Sequence, residues 1–313
     1  FYGDDFTGSS AAMEATAFAG VETVLFLRTP TPKRLQDFAH YRAIGIAGVA
    51  RAQSPAWMDA HLPDTYRLLA GTGAPVIHYK VCSTFDSAPH IGSIGRATDI
   101  AASMFDGWIP LVVADPGMGR YQAVGNLFAA AQGAIHRLDR HPVMARHPVT
   151  PMDEADLARH LAKQTGLGIG LVDFVAMKRG EANARLRSEI DAGAKIVSLD
   201  VLDQETLIET GRLIWTGGAK QIFCVGSQGL EAALVAYWRH AGAIPAAPPP
   251  APAAPVARIA CVSGSVSPVT AAQIAHARDN GFVTIALETA RAVDPRAWAD
   301  EIERATVAAL SEL

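Results

Sequence analysis

The sequence predicts an α/β fold: mostly parallel sheets flanked by helices, a large substrate domain followed by a partial second α/β domain. Three observations carry this. Short, β-rich apolar runs alternate with helical stretches along most of the 313 residues, the pattern of strand–helix–strand crossovers. Several runs are apolar throughout, as strands covered on both faces must be. One segment, residues 245–255 (PAAPPPAPAAP), interrupts the alternation as a semi-rigid spacer, and a new strand–turn–helix–strand pattern follows it.

Taken in order, Phe1-Tyr2 reads as the last piece of a strand, and a helix follows over 9–19. Strands are expected over 23–27, 43–48, 76–80, 111–114, 170–173, 195–199 and 221–225. Helices over 32–40, 55–70, 93–105, 154–164, 204–215 and 229–240 connect them, with Pro63 expected to break the second of these. Beyond the spacer come a strand over 258–262, a turn over 263–267, a helix over 268–280 and a strand over 282–287, then an Ala/Leu/Glu helix. Pro268 suits a first helical turn and Gly281 a helix end. The expected domains are therefore 1–244, a linker 245–255, and a short partial domain 256–313. The abrupt opening and the thin last domain suggest a piece cut from a longer protein.

Composition narrows the function. Half the residues are hydrophobic and 19% charged, with a net charge of −4, so a packed soluble domain is expected and a disordered chain is not. No basic stripe with interleaved aromatics marks a nucleic-acid binder. Cys82, Cys224 and Cys261 are odd in number and far apart, which argues for reduced thiols and against a disulfide frame or zinc site. No apolar run is long enough for a membrane span. A cytoplasmic protein is the expectation, and its oligomeric state, a homo-oligomer included, stays open.

The most informative stretch is Tyr79-Lys80-Val81-Cys82-Ser83-Thr84-Phe85-Asp86-Ser87, closing with Gly92-Ser93-Ile94-Gly95. A lysine, hydroxyls and a carboxylate emerge together from a buried strand, at the edge where open α/β sheets bind ligands. The following helix is expected to aim its free N–H groups at the same spot, so an anionic, hydroxylated small molecule fits. Read as a plain capped loop, this density of polar groups beside a buried strand is costly. Gly3-Asp4-Asp5-Phe6-Thr7-Gly8 is a second candidate: two adjacent aspartates exceed what one helix cap needs, leaving one to face a cation or ligand hydroxyls. A third is Asp115-Pro116-Gly117-Met118-Gly119-Arg120, where Arg120 offers a planar fork for a carboxylate.

His136, His141 and His147 lie among Arg137, Arg140 and Arg146. Their spacing fits no zinc pattern and the arginines would repel a cation, so a connection that helps hold an anionic substrate is the better reading, with no metal. Thr150 to Asp153 is expected to cap the next helix. Two Gly/Ser turns, Val225-Gly226-Ser227-Gln228-Gly229 and Val262-Ser263-Gly264-Ser265-Val266-Ser267-Pro268, could offer N–H groups and hydroxyls to phosphate. Neither is a Walker A loop or a complete dinucleotide fingerprint. Together, one on each side of the linker, they suggest phosphate held at a domain cleft.

On these motifs the chain resembles the four-carbon acid sugar kinase family, whose members phosphorylate threonate, erythronate, 3-oxo-tetronate and related sugar acids. Gly3-Asp4-Asp5-Phe6-Thr7-Gly8 is similar to that family's substrate-domain signature. Lys80 to Ser87 resembles the version in 3-oxo-tetronate kinases, and Ser263 to Pro268 the start of the nucleotide domain. That domain continues in the family past the equivalent of Leu313, into a glycine-rich loop that helps hold ATP.

The resemblance implies an ATP- and Mg²⁺-dependent kinase acting on the terminal hydroxyl of a small sugar acid, linear or branched, such as 3-oxo-isoapionate. It implies Asp5 or Asp86 as base and Asp4, Lys80, Ser83, Thr84, Arg120, His147 and Thr150 as substrate contacts. Ser263, Gly264, Ser265, Ser267, Gly226 and Ser227 would face the nucleotide. Phosphoryl transfer needs mainly alignment and charge neutralisation, which such a set can supply. The competing readings are a non-catalytic sugar-acid binding protein and a Schiff-base lyase using Lys80; an NAD-dependent dehydrogenase lacks its fingerprint.

Overall fold

In the computed structural model, residues 1–217, 220–246, 253–265 and 267–313 are described. The chain forms two compact units, Phe1–Pro249 and Pro250–Leu313. The expected linker lies between them, with its residues 247–252 outside the described set, as is Val266 of the Ser263 turn.

The first unit is built on eight parallel strands: β1 (Tyr2–Gly3), β2 (Thr23–Phe26), β3 (Ala43–Ala47), β4 (Val76–Lys80), β5 (Ile109–Val112), β9 (Ile169–Val172), β10 (Ile196–Leu199) and β11 (Ile222–Gly226). Their order is β2-β3-β1-β4-β11-β5-β10-β9. A second, antiparallel sheet holds β6 (Arg120–Ala123), β7 (Asn126–Ala131) and β8 (Ala134–Arg137). The sequence predicts no strand over 120–137, so this small sheet is an addition to the expected fold.

Helices α1 (Phe6–Ala17), α2 (Pro32–Gln36), α3 (Pro55–Ala70), α4 (Ile94–Ala102), α5 (Leu157–Leu161), α6 (Phe174–Lys178), α7 (Ala182–Asp191), α8 (Gln204–Trp215) and α9 (Gly229–His240) flank the parallel sheet. Strands β4, β5, β10 and β11 are almost wholly buried, which is why their sequences read as unbroken apolar runs. The main core runs from Tyr2 to Ala236.

Pro63 does not break α3, contrary to expectation. The N–H it lacks would have bonded the carbonyl of Asp59, an exposed residue that water can satisfy. Met58, Leu62, Tyr66 and Leu69 are buried on one face, so the helix is anchored to the core on both sides of the proline. The cap before α5 is Asp156, which accepts from the Arg159 amide at 3.1 Å; the expected cap residue, Asp153, pairs with Lys163 instead.

In the second unit α10 (Pro268–Asp279), α11 (Thr289–Ala292) and α12 (Trp298–Glu312) are present. Ser267 caps α10 before Pro268, and Gly281 follows it at φ +91°. The expected strands over 258–262 and 282–287 are absent: neither segment is part of a strand. A strand exists by its ladder, and no partner backbone meets either segment among the described residues.

Register decides where side chains emerge. Ala47, Gly3, Lys80, Gly226 and Val112 lie in one row across β3, β1, β4, β11 and β5. The residues just past that row, among them Asp4, Val81 and Ser227, therefore leave the sheet side by side at its C-terminal edge.

Candidate functional site

Three loops converge at the C-terminal ends of β1, β3 and β4. Asp4 follows β1 and is 3% exposed; both its oxygens are taken by Arg51, Nη2 to Oδ1 at 2.7 Å and Nε to Oδ2 at 3.2 Å. Asp5 caps α1, its Oδ1 accepting from the Gly8 amide at 2.7 Å, while its Oδ2 meets Arg51 Nη1 at 3.0 Å. One guanidinium thus spans both aspartates and settles the repulsion between them. Burial works to lower the Arg51 pKa, but Asp4, then Cys82 and Asp5, raise it. Arg51 stays charged.

Lys80 ends β4 and is 1% exposed, with Nζ donating to the Val81 carbonyl at 2.6 Å. A Cβ built on Gly8 would lie 2.6 Å from Lys80 Nζ and 2.4 Å from Asp5 Oδ1. The ammonium therefore sits against the first turn of α1, and only a residue without a side chain leaves it room. A desolvated ammonium with one carbonyl partner is an expensive arrangement unless an anion completes it.

The loop after Lys80 is shaped by Phe85, buried and in the left-handed region at φ +57°. A bulky residue there is strained, and strain of this kind is retained where surrounding structure demands a particular side-chain placement. It sets Thr84 and Asp86 on either side: Thr84 Oγ1 donates to Asp86 Oδ1 at 2.6 Å and lies 3.0 Å from Cys82 Sγ. Against burial, which would raise it, the Thr84 hydroxyl and the Arg51 charge hold the Asp86 carboxyl below its ordinary value. Burial raises the Cys82 pKa, so this thiol stays protonated and is no nucleophile. Ser83 is half-buried between them.

Ser87 accepts from Gln164 Nε2 at 2.8 Å and lies 3.0 Å from His160 Nε2. Burial drops the His160 pKa to about 4, so the ring is a neutral support for the loop. Two of the first amides of α4, expected to be free for a ligand, are already engaged. Ser93 caps Arg96, and Gln164 Oε1 accepts the Gly95 amide at 3.2 Å, which removes those donors from any ligand.

A second group of side chains leaves β5 and β11. Asp115 Oδ2 accepts from Gln228 Nε2 at 3.2 Å. Ser227 Oγ is fully buried, donates to the Val113 carbonyl at 2.7 Å and accepts the Gly229 amide at 2.9 Å. A Cβ on Gly226 would lie 1.9 Å from the Val112 carbonyl. Both residues of this turn are thus committed to joining β11 to β5, and a phosphate would have to displace existing bonds.

Arg120 opens β6. Its Nη1 reaches only the carbonyls of Met118, Gly119 and Ala130, at 3.1, 3.4 and 3.5 Å. The small sheet that carries it is clasped to β10 by Asp200, which accepts from Val124 N at 2.6 Å, Gly125 N at 3.0 Å, Phe174 N at 3.1 Å and Gln122 Nε2 at 3.1 Å. Asp200 is fully buried and fully bonded, a structural carboxylate. His147 Nδ1 accepts from both the amide and the hydroxyl of Thr150, each at 3.1 Å, so these two residues brace one another. Among the described residues no cluster of three His, Cys, Asp or Glu side chains could hold a metal ion, and no helix is long and apolar enough to cross a membrane.

The structure thus gathers Asp4, Asp5, Lys80, Ser83, Thr84 and Asp86, the two spaced motifs read from sequence. It adds Arg51, which sequence reading missed; the signal available was an arginine four residues past the end of strand β3. Ser263, Gly264, Ser265 and Ser267 belong to the second unit. There the Ser265, Ser267 and Thr270 hydroxyls bond one another at the start of α10, at 3.0 Å each for the two Thr270 contacts.

Comparison with known proteins follows the same line. Residues 1–234 match the family described as "Sugar-binding N-terminal domain". The chain is 52% identical over 314 residues to a 3-oxo-isoapionate kinase of Paraburkholderia graminis, covering all of this chain and 67% of that protein. It is 31% identical to a 3-oxo-tetronate kinase of Methylobacterium radiotolerans, covering 88% of this chain and 63% of the relative. Among solved structures, a Haemophilus influenzae protein superposes with a TM-score of 0.66 at 25% identity, over 77% of this chain and 56% of its own. The chain spans about two thirds of the length of these curated relatives.

Proposed function

The chain belongs to the family of 3-oxo-tetronate and 3-oxo-isoapionate kinases, and from that premise we propose that it phosphorylates a hydroxyl of a small branched sugar acid, 3-oxo-isoapionate, with ATP. The observation that carries this is the joined cluster of Asp4, Asp5, Arg51, Lys80, Thr84 and Asp86 at one sheet edge. It combines guanidinium and amine donors for an anionic group with carboxylate and hydroxyl oxygens that can accept from hydroxyls, the set a hydroxylated acid needs. The 52% identity to a 3-oxo-isoapionate kinase supports the branched acid over a linear tetronate.

Asp86 is the base in this proposal. Its carboxylate is kept ionised, Thr84 occupies one oxygen, and the other is left to accept the hydroxyl proton. Asp5, already bound by Gly8 and Arg51, orients substrate hydroxyls together with Ser83. Asp4 acts through Arg51. Lys80 neutralises charge that gathers on the acceptor oxygen and the transferred group. His147 keeps its Nε2 for the substrate, since Thr150 occupies Nδ1. ATP supplies the phosphoryl group, with Mg²⁺ carried on its phosphates. In the second unit Ser263, Gly264, Ser265 and the Ser267 cap, at the start of a twelve-residue helix, suit a phosphate oxygen. Gly226 and Ser227 are the weaker part of the nucleotide assignment.

The test is a panel of four- and five-carbon sugar acids, read by thermal shift on this chain and by ADP release in the protein at the full length of its relatives. At a hundredfold excess over Kd, a ligand stabilises by about 2.7 kcal/mol, and 3-oxo-isoapionate should give the largest shift. Asp86→Asn should cut kcat by about 10²–10⁴ while sparing that shift. A panel in which no sugar acid raises the melting temperature refutes the assignment.

A further inference from the structure

We propose that Arg120, His136 and His141 form the subsite that grips the carboxylate of the sugar acid; this rests on the kinase reading and adds to it. Arg120 on β6 and His136 on β8 are both registered opposite Ala129 of β7. Directly paired residues of an antiparallel ladder project to the same face. The guanidinium and the imidazole therefore flank a single methyl group, on strands about 10 Å apart. His141 closes the group, its ring centroid 6.0 Å from that of His136.

Arg120 and His141 offer donors, His136 a ring nitrogen that donates in one tautomer, and none is satisfied by a carboxylate. Arg120 Nε and His136 Nε2 are buried without any hydrogen-bond partner. His141 Nδ1 accepts the Val143 and Met144 amides at 3.2 and 3.1 Å, so its ring proton sits on Nε2 and that nitrogen is a donor. The acid nearest in sequence, Asp139, is taken by Arg137. Buried donors left unpaired are rare because each forfeits its water without return. An unpaired guanidinium Nε beside an unpartnered imidazole nitrogen and the His141 donor suits a planar anion held by the guanidinium fork.

The position suits the rest of the site. Arg120 donates its amide to the Asp115 carbonyl at 3.0 Å, and Asp115 leaves β5, two strands from Lys80 in the order β4-β11-β5. A substrate anchored here by its carboxylate would extend its hydroxyls toward Lys80 and Asp86. Inorganic phosphate shares the charge and could occupy the same donors, so the experiment must separate the two.

Binding to the whole chain is measured for 3-oxo-isoapionate, for the neutral amide of the same acid, and for inorganic phosphate. Wild type should prefer the acid over the amide by at least tenfold. Arg120→Gln and His136→Ala should each remove most of that preference while leaving affinity for the amide unchanged, and Arg120→Lys, which keeps charge but loses the fork, should recover part of it. Equal loss for acid and amide, an unchanged preference, or a loss confined to phosphate overturns the subsite. Wild type that binds no sugar acid at all refutes the kinase reading instead, so the two failures are distinguishable.

Discussion

Arg51 is the residue on which the candidate site turns. Two carboxylates adjacent in sequence cannot both sit ionised near the protein interior without a shared cation, and Arg51 supplies it through three nitrogens. Replacing it with methionine would leave Asp4 buried and unpaired, at a cost of about 3–5 kcal/mol. Arg51→Met should therefore lower the melting temperature markedly, and Asp4→Asn added to it should restore part of the loss. Calorimetry of the single and double variants checks this; an unchanged melting temperature for Arg51→Met would mean the pair is not formed. At this scale the sequence disclosed the aspartates, Lys80, Thr84 and Asp86, because such groups are conspicuous directly after buried strands. It hid Arg51, since an arginine in a loop looks alike whether solvated or bound across 47 residues of chain to Asp4.

At the scale of elements, the parallel strands were legible and the antiparallel sheet was not, for one physical reason. A strand buried on both faces must be apolar throughout, whereas β6, β7 and β8 are short and rich in alanine. Their two-residue turns, Val124-Gly125 and Gln132-Gly133, have positive φ at both positions, the geometry of a type I′ hairpin, but they lack the Asn-Gly or Asp-Gly that usually announces it. The second unit shows the reverse error: residues 258–262 and 282–287 have strand-like composition without a ladder to pair with. The small sheet depends on Asp200. In Asp200→Asn one acceptor oxygen becomes a donor facing buried N–H groups, so at least one of the Val124, Gly125 and Phe174 amides loses its partner. The expected cost is about 1–3 kcal/mol, with faster amide exchange at Val124 and Gly125. Sugar-acid affinity should fall as well, because the same turn holds Arg120 of β6 in register with β7; an exchange pattern unchanged at those amides would show that Asp200 is not the clasp.

For the whole molecule, the distribution of burial separates fold from appendage. Both hydrophobic clusters lie within residues 1–244, and among the described residues of 250–313 no hydrophobic side chain is buried. There the one buried side chain is Glu301, which binds the Glu288 amide at 2.8 Å and Arg304 at 2.6 Å. Stability comes chiefly from apolar area removed from water, so the first unit should fold without help from the second. The family match over residues 1–234 falls on this same unit. A chain ending at Pro249 should therefore melt cooperatively within a few degrees of the 313-residue chain and show the same shift with 3-oxo-isoapionate, while responding to no nucleotide. Differential scanning calorimetry of the two chains, each with and without the acid, decides it. A shortened chain that melts without cooperativity would mean that the last 64 residues complete the core; one that folds but loses the shift would move part of the acid-binding site onto them.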